Sequence, residues 1–168
     1  MDISLRRADL GKDGDALVAL IGDYLTWGID RLRREYGLDD SPTDPSTIRE
    51  SLATYELPTG LLIVAEQGGE PIGLAGLRTL TPGIVEVKRM YVDPRGRGLG
   101  IGSALLDRLL ADAREVFAAK VVRLDTARFM ADAQTLYASR GFIEREPYEE
   151  TEIPPQMRHH WRFFERTI

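Results

Sequence analysis

Cysteine is absent from this 168-residue sequence. The chain therefore has no thiol for a disulfide, a thiolate nucleophile or a cysteine-ligated zinc site. Long hydrophobic runs are absent as well. No stretch approaches the roughly 20 apolar residues that span a bilayer, and residues 1–10 lack the apolar core of a signal peptide. These absences favour a cytoplasmic protein with no membrane partner.

An excess of basic residues is also missing. The sequence has 22 lysines and arginines against 27 acidic residues, which gives a formal net charge of -5. Binding to nucleic acid requires a concentrated basic surface, so a nucleic-acid partner is not expected. Hydrophobic residues account for 43% of the chain and aromatic residues for 8%, as in ordinary globular proteins. The length predicts a single domain over residues 1–168.

The N-terminal region predicts one strand followed by helix. Apolar and polar residues alternate over residues 3–7, and Gly11 and Gly14 mark a turn after that strand. From Asp15 onward, apolar residues recur at helical spacing. Because Gly28 interrupts this spacing, the pattern predicts one broken helix or two short ones.

Proline residues frame the next predicted helix. Pro42 and Pro45 end the first helical region, and Thr47 with Glu50 three positions later forms a capping box. This pattern predicts a second helix that runs to about Tyr55.

The rest of the chain alternates between strands and helices. Strands are predicted over residues 61–66, 72–80, 84–92, 121–126, 142–143 and 161–164, and the first three of these form an antiparallel meander. Helices are predicted over residues 131–139 and after residue 100, the latter with an inward stripe of Ile101, Leu105, Leu109, Ala113 and Phe117. Together these elements indicate a mixed α/β (α+β) fold, with a mainly antiparallel sheet of about six to seven strands.

One segment carries most of the chemical information. Residues 92–103 place four glycines between a predicted strand end and a helix start. Backbone amides without neighbouring side chains can converge on one anion, and the helix N-terminus adds unpaired N–H groups and partial positive charge. Arg95 and Arg97 add two cations. A tight turn is the alternative, but a turn requires neither the repeated glycines nor a helix that starts among them. The segment therefore predicts a phosphate or pyrophosphate site.

Spacing excludes two other phosphate-binding loops. The sequence has no Gly-x-x-x-x-Gly-Lys-Ser/Thr motif, and Gly98 and Gly100 followed by Ser103 do not fit Gly-x-Gly-x-x-Gly/Ala. Neither an NTPase loop nor a dinucleotide fingerprint is predicted.

The same segment resembles the GNAT superfamily of N-acetyltransferases. The superfamily signature Arg/Gln-x-x-Gly-x-Gly/Ala is matched from Arg97 to Gly102, with Tyr91-Val92-x-Pro94 before it. Further likeness lies in residues 124–126 and 133–142. The resemblance implies a V-shaped cleft in the sheet, acetyl-CoA as cosubstrate, and direct transfer of the acetyl group to a primary amine in a ternary complex.

The resemblance also implies which residues hold the cosubstrate. The strand that ends at Val92 offers backbone groups to the pantetheine arm, and the glycine-rich loop holds the pyrophosphate. Many relatives carry asparagine at the position of Met130, so here apolar packing is expected to replace one polar contact with that arm. The predicted contacts are Met90, Tyr91, Val92, Arg97, Gly98, Leu99, Gly100, Ile101, Gly102, Ser103 and Met130.

Two side chains are candidates for acid–base catalysis. A primary amine must lose a proton before it attacks a thioester, and a carboxylate base meets that need. Glu86 lies where the resemblance places such a base, and an ion pair with Lys88 or Arg89 is an equally good interpretation. Tyr137 resembles the family tyrosine that protonates the departing thiolate, with packing in the core as its alternative.

Several questions stay open at this level. A non-catalytic module that binds acyl-CoA and reports it to another protein needs the same loop. In the family the acceptor amine is selected by the first helices, where Tyr24, Trp27, Asp39 and Asp40 favour a cationic amine or simply form a solvated surface. Metabolite, drug and peptide amines all fit this description. The acidic segment from Tyr148 predicts either a rim of the cleft or a homodimer contact.

No metal site is predicted. His159 and His160 are adjacent, and neighbouring residues on a strand point to opposite faces, so the two imidazoles are not expected to share one ion.

Overall fold

A computed structural model describes residues 2–39 and 43–168. Its strands are β1 (Ile3–Arg7), β2 (Gly60–Gln67), β3 (Glu70–Thr81), β4 (Ile84–Val92), β5 (Val121–Ala127), β6 (Ile143–Arg145) and β7 (Trp161–Thr167). They form one sheet in the spatial order β1-β2-β3-β4-β5-β7-β6. β4 and β5 are parallel, and the other neighbouring pairs are antiparallel. This mixed, mainly antiparallel sheet confirms the predicted fold class.

Helices cover both faces of the sheet. They are α1 (Leu10–Tyr36), α2 (Pro45–Ser51), α3 (Ile101–Glu115) and α4 (Ala131–Ser139). Short 3-10 turns occupy Leu52–Tyr55, Pro94–Gly96 and Pro155–His160. α3 and α4 pack on one face, and α1 and α2 pack on the other. Within residues 2–39 and 43–168, no helix combines the length and the apolar composition that crossing a bilayer requires.

The alternation of β2 divides the hydrophobic core into two layers. Leu61 and Ile63 face the layer that contains α3, whereas Leu62 and Val64 face the layer that contains α1. All four side chains are almost completely buried. Because both faces are covered, the central strands are continuous apolar runs, with polar groups confined to special positions.

The first helix is longer and more regular than predicted. Asp9 caps it, accepting hydrogen bonds from Gly11 N at 3.1 Å and Lys12 N at 3.2 Å. The predicted turn at Gly11 and Gly14 is therefore wrong, because both residues lie in the first turns of α1. The predicted break at Gly28 is also wrong, because α1 continues through that residue. A glycine within a helix costs about 1 kcal/mol, and burial of one face of this 27-residue helix outweighs that cost.

The capping box predicted for the second helix is replaced by a different cap. Asp44 accepts a hydrogen bond from Ser46 N at 2.7 Å, and Pro45 occupies the first helical position. Pro45 therefore starts a helix rather than ending one, because its missing N–H has no acceptor at that position anyway. Thr47 lies inside the helix. Pro42 lies outside the described residues.

The elements predicted in the middle of the chain agree closely with the structure. β4 and α4 have the predicted bounds, and four members of the predicted stripe on α3 are at most 2% exposed. The fifth, Phe117, lies beyond the end of α3 and packs at the margin of the core. The loop between β4 and α3 is thereby fixed at both ends by buried elements.

Candidate active site

The site begins where two parallel strands separate. β4 and β5 are paired over only Ile84–Glu86 and Val121–Arg123. Both strands then continue, β4 to Val92 and β5 to Ala127, with no strand between them among the described residues. The result is a V-shaped opening, as the family resemblance implies. Backbone groups on the facing edge of β4 are available there for a ligand.

The opening contains a cavity of about 380 Å³. This volume lies within the usual range for small-molecule sites, about 300–1,000 Å³. α1, β4, β5, α4 and the chain around residues 152–161 all contribute to its wall. Its polar side chains include Tyr24, Lys88, Arg89, Asp125, Tyr137 and Glu152. Five separate parts of the sequence therefore meet at one cavity.

The glycine-rich loop leads from the end of β4 into α3. Gly98 and Gly100 have φ of 75° and 76°, in the left-handed region that favours glycine. A Cβ at either position would have no neighbour within 4 Å among the described residues, so both face open space. The first hydrogen bond into α3 runs from Ala104 N to Gly100 O at 3.0 Å. The N–H groups of the helix before Ala104 have no carbonyl partner within the helix, so they point outward, where they can bind an anion.

The remaining parts of the loop have different roles. A Cβ at Gly96 would lie 2.9 Å from Ile101 Cδ1, so that glycine is required for packing. Arg95 is bound to Asp93, with Nε 3.0 Å from Oδ1, and is not a free phosphate contact. Arg97 Nε contacts only the carbonyl oxygen of Val92, at 3.4 Å, within the described part of the chain. Arg97 is therefore the loop arginine available for a ligand.

Tyr137 reaches the cavity from α4. Its side chain is 6% exposed, and its hydroxyl lies 3.8 Å from the sulfur of Met90. Burial raises the pKa of the Tyr137 phenol. The hydroxyl therefore stays protonated at neutral pH and can donate its proton into the cavity. The ring packs on Phe142 and Phe164, as the alternative interpretation from the sequence expects, and Tyr137 also lines the cavity. Its role as the acid stays a prediction.

The structure places Glu86 below the cavity rather than on its wall. Its side chain is fully buried, and Arg78 Nε donates to Oε1 at 2.8 Å. The hydroxyl of Tyr148 donates to the other carboxylate oxygen. Lys88 Nζ lies 3.8 Å from Oε1, so the ion pair suggested from the sequence forms with Lys88. Arg89 is not a partner of Glu86 within the described residues.

Two other carboxylates face the cavity directly. Lys88 Nζ lies 3.4 Å from Asp125 Oδ2 and 3.4 Å from Glu152 Oε2. Burial raises the pKa of Asp125 despite the nearby cation. Burial also opposes ionisation of Glu152, but attraction to Lys88 and Arg78 outweighs it and lowers the pKa of Glu152. Asp125 and Glu152 are thus placed to accept a proton or bind a cation.

The predicted contacts on β4 and at the start of α4 also meet in the opening. Met90 and Met130 line the cavity, and Thr126 Oγ1 lies 3.2 Å from the Met130 sulfur. Tyr91 packs against Tyr24 of α1, with ring centroids 5.3 Å apart. Packing of Met130 against the pantetheine arm stays a prediction. The structure therefore brings the loop, the strand edge and the start of α4 to one site.

A comparison with protein families decides the assignment. A model described as the Acetyltransferase (GNAT) family matches residues 28–142, more than half of the chain. The chain belongs to the GNAT acetyltransferase family.

Individual relatives agree with the GNAT assignment. An uncharacterized N-acetyltransferase of Schizosaccharomyces pombe is 31% identical over 156 residues, covering 91% of this chain and 90% of that protein. The N-alpha-acetyltransferase RimI of Mycobacterium tuberculosis is 34% identical over 114 residues, covering 66% of this chain and 68% of that protein. A crystal structure of the PaiA N-acetyltransferase of Thermoplasma acidophilum with coenzyme A is similar in fold, with a TM-score of 0.74, 17% identity and coverage of 100% of both chains.

In this GNAT chain, the sequence motif did not reveal the carboxylates on the cavity wall. Asp125 carries a weak signal, since it is the one carboxylate of strand β5, between Leu124 and the buried Thr126. Glu152 carries none, because it lies in an irregular acidic segment. Of the residues predicted for the acceptor side, Tyr24 lines the cavity, and the ring of Trp27 stacks on the ring of Tyr24. Asp39 pairs with Arg33 instead.

The C-terminal segment closes one side of the GNAT cleft. Tyr148 is buried against Glu86, and Ile153 lines the cavity beside Glu152. These contacts favour the rim over the dimer contact as the role of this segment. Asp40, also considered for the acceptor side, lies outside the described residues.

The strand predicted at the two histidines is wrong. His159 and His160 belong to a 3-10 turn, and their ring centroids are 3.8 Å apart. His160 stacks on Tyr36, with a centroid distance of 4.2 Å. The opposite-face argument therefore does not apply to them, and their stacking is a packing interaction at the end of α1.

Proposed function

We propose that this GNAT chain transfers an acetyl group from acetyl-CoA to a primary amine by direct attack within a ternary complex. One observation carries the proposal. A Cβ at Gly102, in the first turn of α3, would lie 3.8 Å from Met90 Cε, and Met90 lines the cavity together with Tyr137 and two carboxylates. An anion site and acid–base groups are therefore joined by a single cleft.

The residues of the cleft fit the parts of the cosubstrate. Acetyl-CoA supplies the activated acetyl thioester. The outward N–H groups from Gly98 to Ser103 and the side chain of Arg97 suit its pyrophosphate. The unpaired edge of β4, from Met90 to Val92, suits the amides of the pantetheine arm, and Met130 suits its apolar stretch. A backbone N–H near Tyr91 is placed to stabilise charge on the thioester oxygen.

Removal of the amine proton is assigned to the carboxylates of the cavity. A primary amine with a pKa near 10.4 costs about 4–5 kcal/mol to hold unprotonated at pH 7. Asp125 and Glu152 face the cavity and can accept that proton directly or through water. Glu86 as the base stays a prediction, and its burial favours a role through Lys88, which it helps to hold in place.

Acetyl transfer forms one bond, breaks one bond and moves two protons. The amine nitrogen forms a bond to the acetyl carbon, the carbon–sulfur bond breaks, and the amine proton passes to the carboxylate side. Tyr137 donates its hydroxyl proton to the leaving sulfur, a role supported by the place of its side chain among the residues that line the cavity. The phenol is then reprotonated from solvent. No covalent enzyme intermediate is required, which agrees with a chain that has no cysteine.

The setting of the reaction is proposed as well. The cytoplasm is the expected location, because a cosubstrate with several charges does not cross a bilayer unaided. A single domain, independence from metal ions, and the absence of nucleic-acid and membrane partners stay predictions. A homodimer, as the alternative role of the segment at Tyr148, is tested by sedimentation of the purified protein.

A panel of amines with acetyl-CoA tests the proposal. Free CoA thiol is measured during incubation with metabolite, drug and peptide amines, and calorimetry measures CoA binding separately. Thiol release that depends on an amine, together with an acetylated product in the mass spectrum, is expected. Tight CoA binding with no release from any amine would instead identify the non-catalytic acyl-CoA-binding module.

A further inference from the structure

The acceptor side of the cavity contains a strand irregularity that repositions one arginine. β3 supplies only Ala75 opposite two residues of β4, Arg89 and Met90. Arg89 has a φ of 57°, which costs a residue with a side chain on the order of 1 kcal/mol or more. In a regular strand, neighbouring side chains point to opposite faces, but a bulge changes this alternation. Arg89 lies at this bulge and lines the cavity, as do its neighbours Lys88 and Met90.

Arg89 differs from Arg78 and Lys88 in forming no ion pair within the part of the chain that the structure describes. Its Nε is buried and makes no hydrogen bond within residues 2–39 and 43–168. Lys88, in contrast, lies within 4 Å of three carboxylates. A buried N–H without an acceptor is costly, so a guanidinium held in this way is poised to receive an anion from a ligand.

The neighbouring charges are not neutral by themselves. The ion-pair network contains two cations and three carboxylates, which leaves one negative charge: Arg78, Lys88, Glu86, Asp125 and Glu152. Arg89 adds one positive charge to the same cavity without joining this network in the described residues. The cavity therefore presents one excess charge of each sign to its contents.

We propose that the acceptor is an amine that also carries a carboxylate, bound through its carboxylate to Arg89 and through its amino group to Asp125 and Glu152. This inference rests on the proposed acetyl transfer and names its substrate class. A guanidinium binds a carboxylate with two parallel hydrogen bonds, which fixes the orientation of the substrate. Leu25, Ile29 and Ile153 line the rest of the cavity and suit an apolar side chain.

Matched amines that differ only in the carboxylate test this inference. Phenylalanine, phenylalaninamide and phenethylamine are compared, with leucine and leucinamide as a second series, at saturating acetyl-CoA. Rates are expressed per unprotonated amine, because the amide lowers the pKa of the amino group. We expect kcat/KM to be about 10- to 100-fold higher for the acids, the usual worth of a hydrogen-bonded ion pair. Equal or faster acetylation of the amides would overturn the inference while leaving the transferase function intact.

Variants at Arg89 assign the preference to this side chain. Arg89→Gln is expected to abolish the preference for the acid, mainly through KM, while acetylation of the amides continues. Arg140→Gln is the matched control, since Arg140 forms a surface ion pair with Asp107 away from the cavity. A full preference for the acid in Arg89→Gln would contradict the proposal. Calorimetric binding of CoA confirms that each variant is folded.

A binding measurement separates this inference from failure of the chemistry. The CoA-loaded protein is titrated with N-acetylphenylalanine and with its amide, and the acid is expected to bind about tenfold or more tightly. Arg89→Gln should bind the two alike. Equal affinity of the wild-type protein for acid and amide would refute the carboxylate site, whereas failure of every amine to release CoA would refute the transferase function on which it rests.

Discussion

The two ends of the cleft are built in contrasting ways. At the phosphate end, a contiguous segment, residues 92–103, supplies the glycines, the outward N–H groups and Arg97. At the acceptor end, side chains come from α1, β4, β5, α4 and the C-terminal segment. The first end needs a local backbone shape, whereas the second needs several long-range contacts. A motif can therefore identify the first end, but it leaves the acceptor undefined.

A negative charge in the phosphate end should produce the largest effect. Gly100→Asp places a carboxylate near the pyrophosphate, and two like charges 4 Å apart near a protein surface repel by about 4 kcal/mol. CoA affinity measured by calorimetry should fall about a thousandfold. Gly69→Asp is the control, because Gly69 also has a left-handed φ, 84°, with open space around it. Similar losses in both variants would show backbone strain instead of an anion site.

Substitution of Tyr137, which lies between the two ends of the cleft, tests its role as the general acid. Tyr137→Phe should lower turnover about a hundredfold, the usual contribution of a general acid, while CoA affinity stays the same. Tyr55→Phe is the matched control, because Tyr55 is equally buried but does not line the cavity. An unchanged rate in Tyr137→Phe would remove this hydroxyl from the mechanism and leave the ring as a core residue.

At the acceptor end, substitution of the buried carboxylates should have a smaller effect on turnover. Asp125→Asn and Glu86→Gln should each reduce turnover near neutrality, by up to about a hundredfold. Burial raises the pKa of Asp125 above its ordinary value of 3.8. If ionised Asp125 is the base, the wild-type rate falls as the pH drops through this raised pKa, and Asp125→Asn lacks that limb. A pH profile of Glu86→Gln that superimposes on the wild type would assign Glu86 to structure alone.

The smallest effect is expected far from both ends. Arg6 binds Asp13 through two hydrogen bonds, of 2.7 and 2.8 Å, and its side chain is 39% exposed. Asp13→Asn should lower the free energy of unfolding by about 1–2 kcal/mol, with allowance for solvent screening, and leave kcat/KM unchanged. Asp15→Asn is the control, because Asp15 pairs with Arg49 in full contact with solvent.

The stability loss in Asp13→Asn should depend on pH. The hydrogen bond from Arg6 lowers the pKa of Asp13 in the folded protein. Ionised Asp13 therefore stabilises the fold above its ordinary pKa, and this contribution disappears as the pH falls through the lowered value. Chemical denaturation should show the full difference from wild type near pH 7 and a shrinking one below about pH 4. A difference that grows in acid would contradict the assignment.

Local signals explain which parts of the fold were predictable. β4, α4 and the buried stripe of α3 follow from hydrophobic periodicity, because each is bounded by strong turn residues. The start of α1 was missed because two glycines suggest a turn, whereas Asp9 caps the helix by accepting hydrogen bonds from Gly11 N and Lys12 N. Asp44 displaced the predicted cap of α2 for a related reason, since proline fits only the first turn after a cap.

The order of the elements, the family, and the loop whose backbone suits a pyrophosphate follow from the amino-acid sequence alone, because each depends on residues close together in the chain. Packing in three dimensions was needed to show that Glu86 is buried beside Lys88, that Asp125 and Glu152 reach the cavity, and that Arg89 lies at a bulge on its wall. These are properties of long-range strand pairing and packing, and a single sequence does not specify which distant charges will meet.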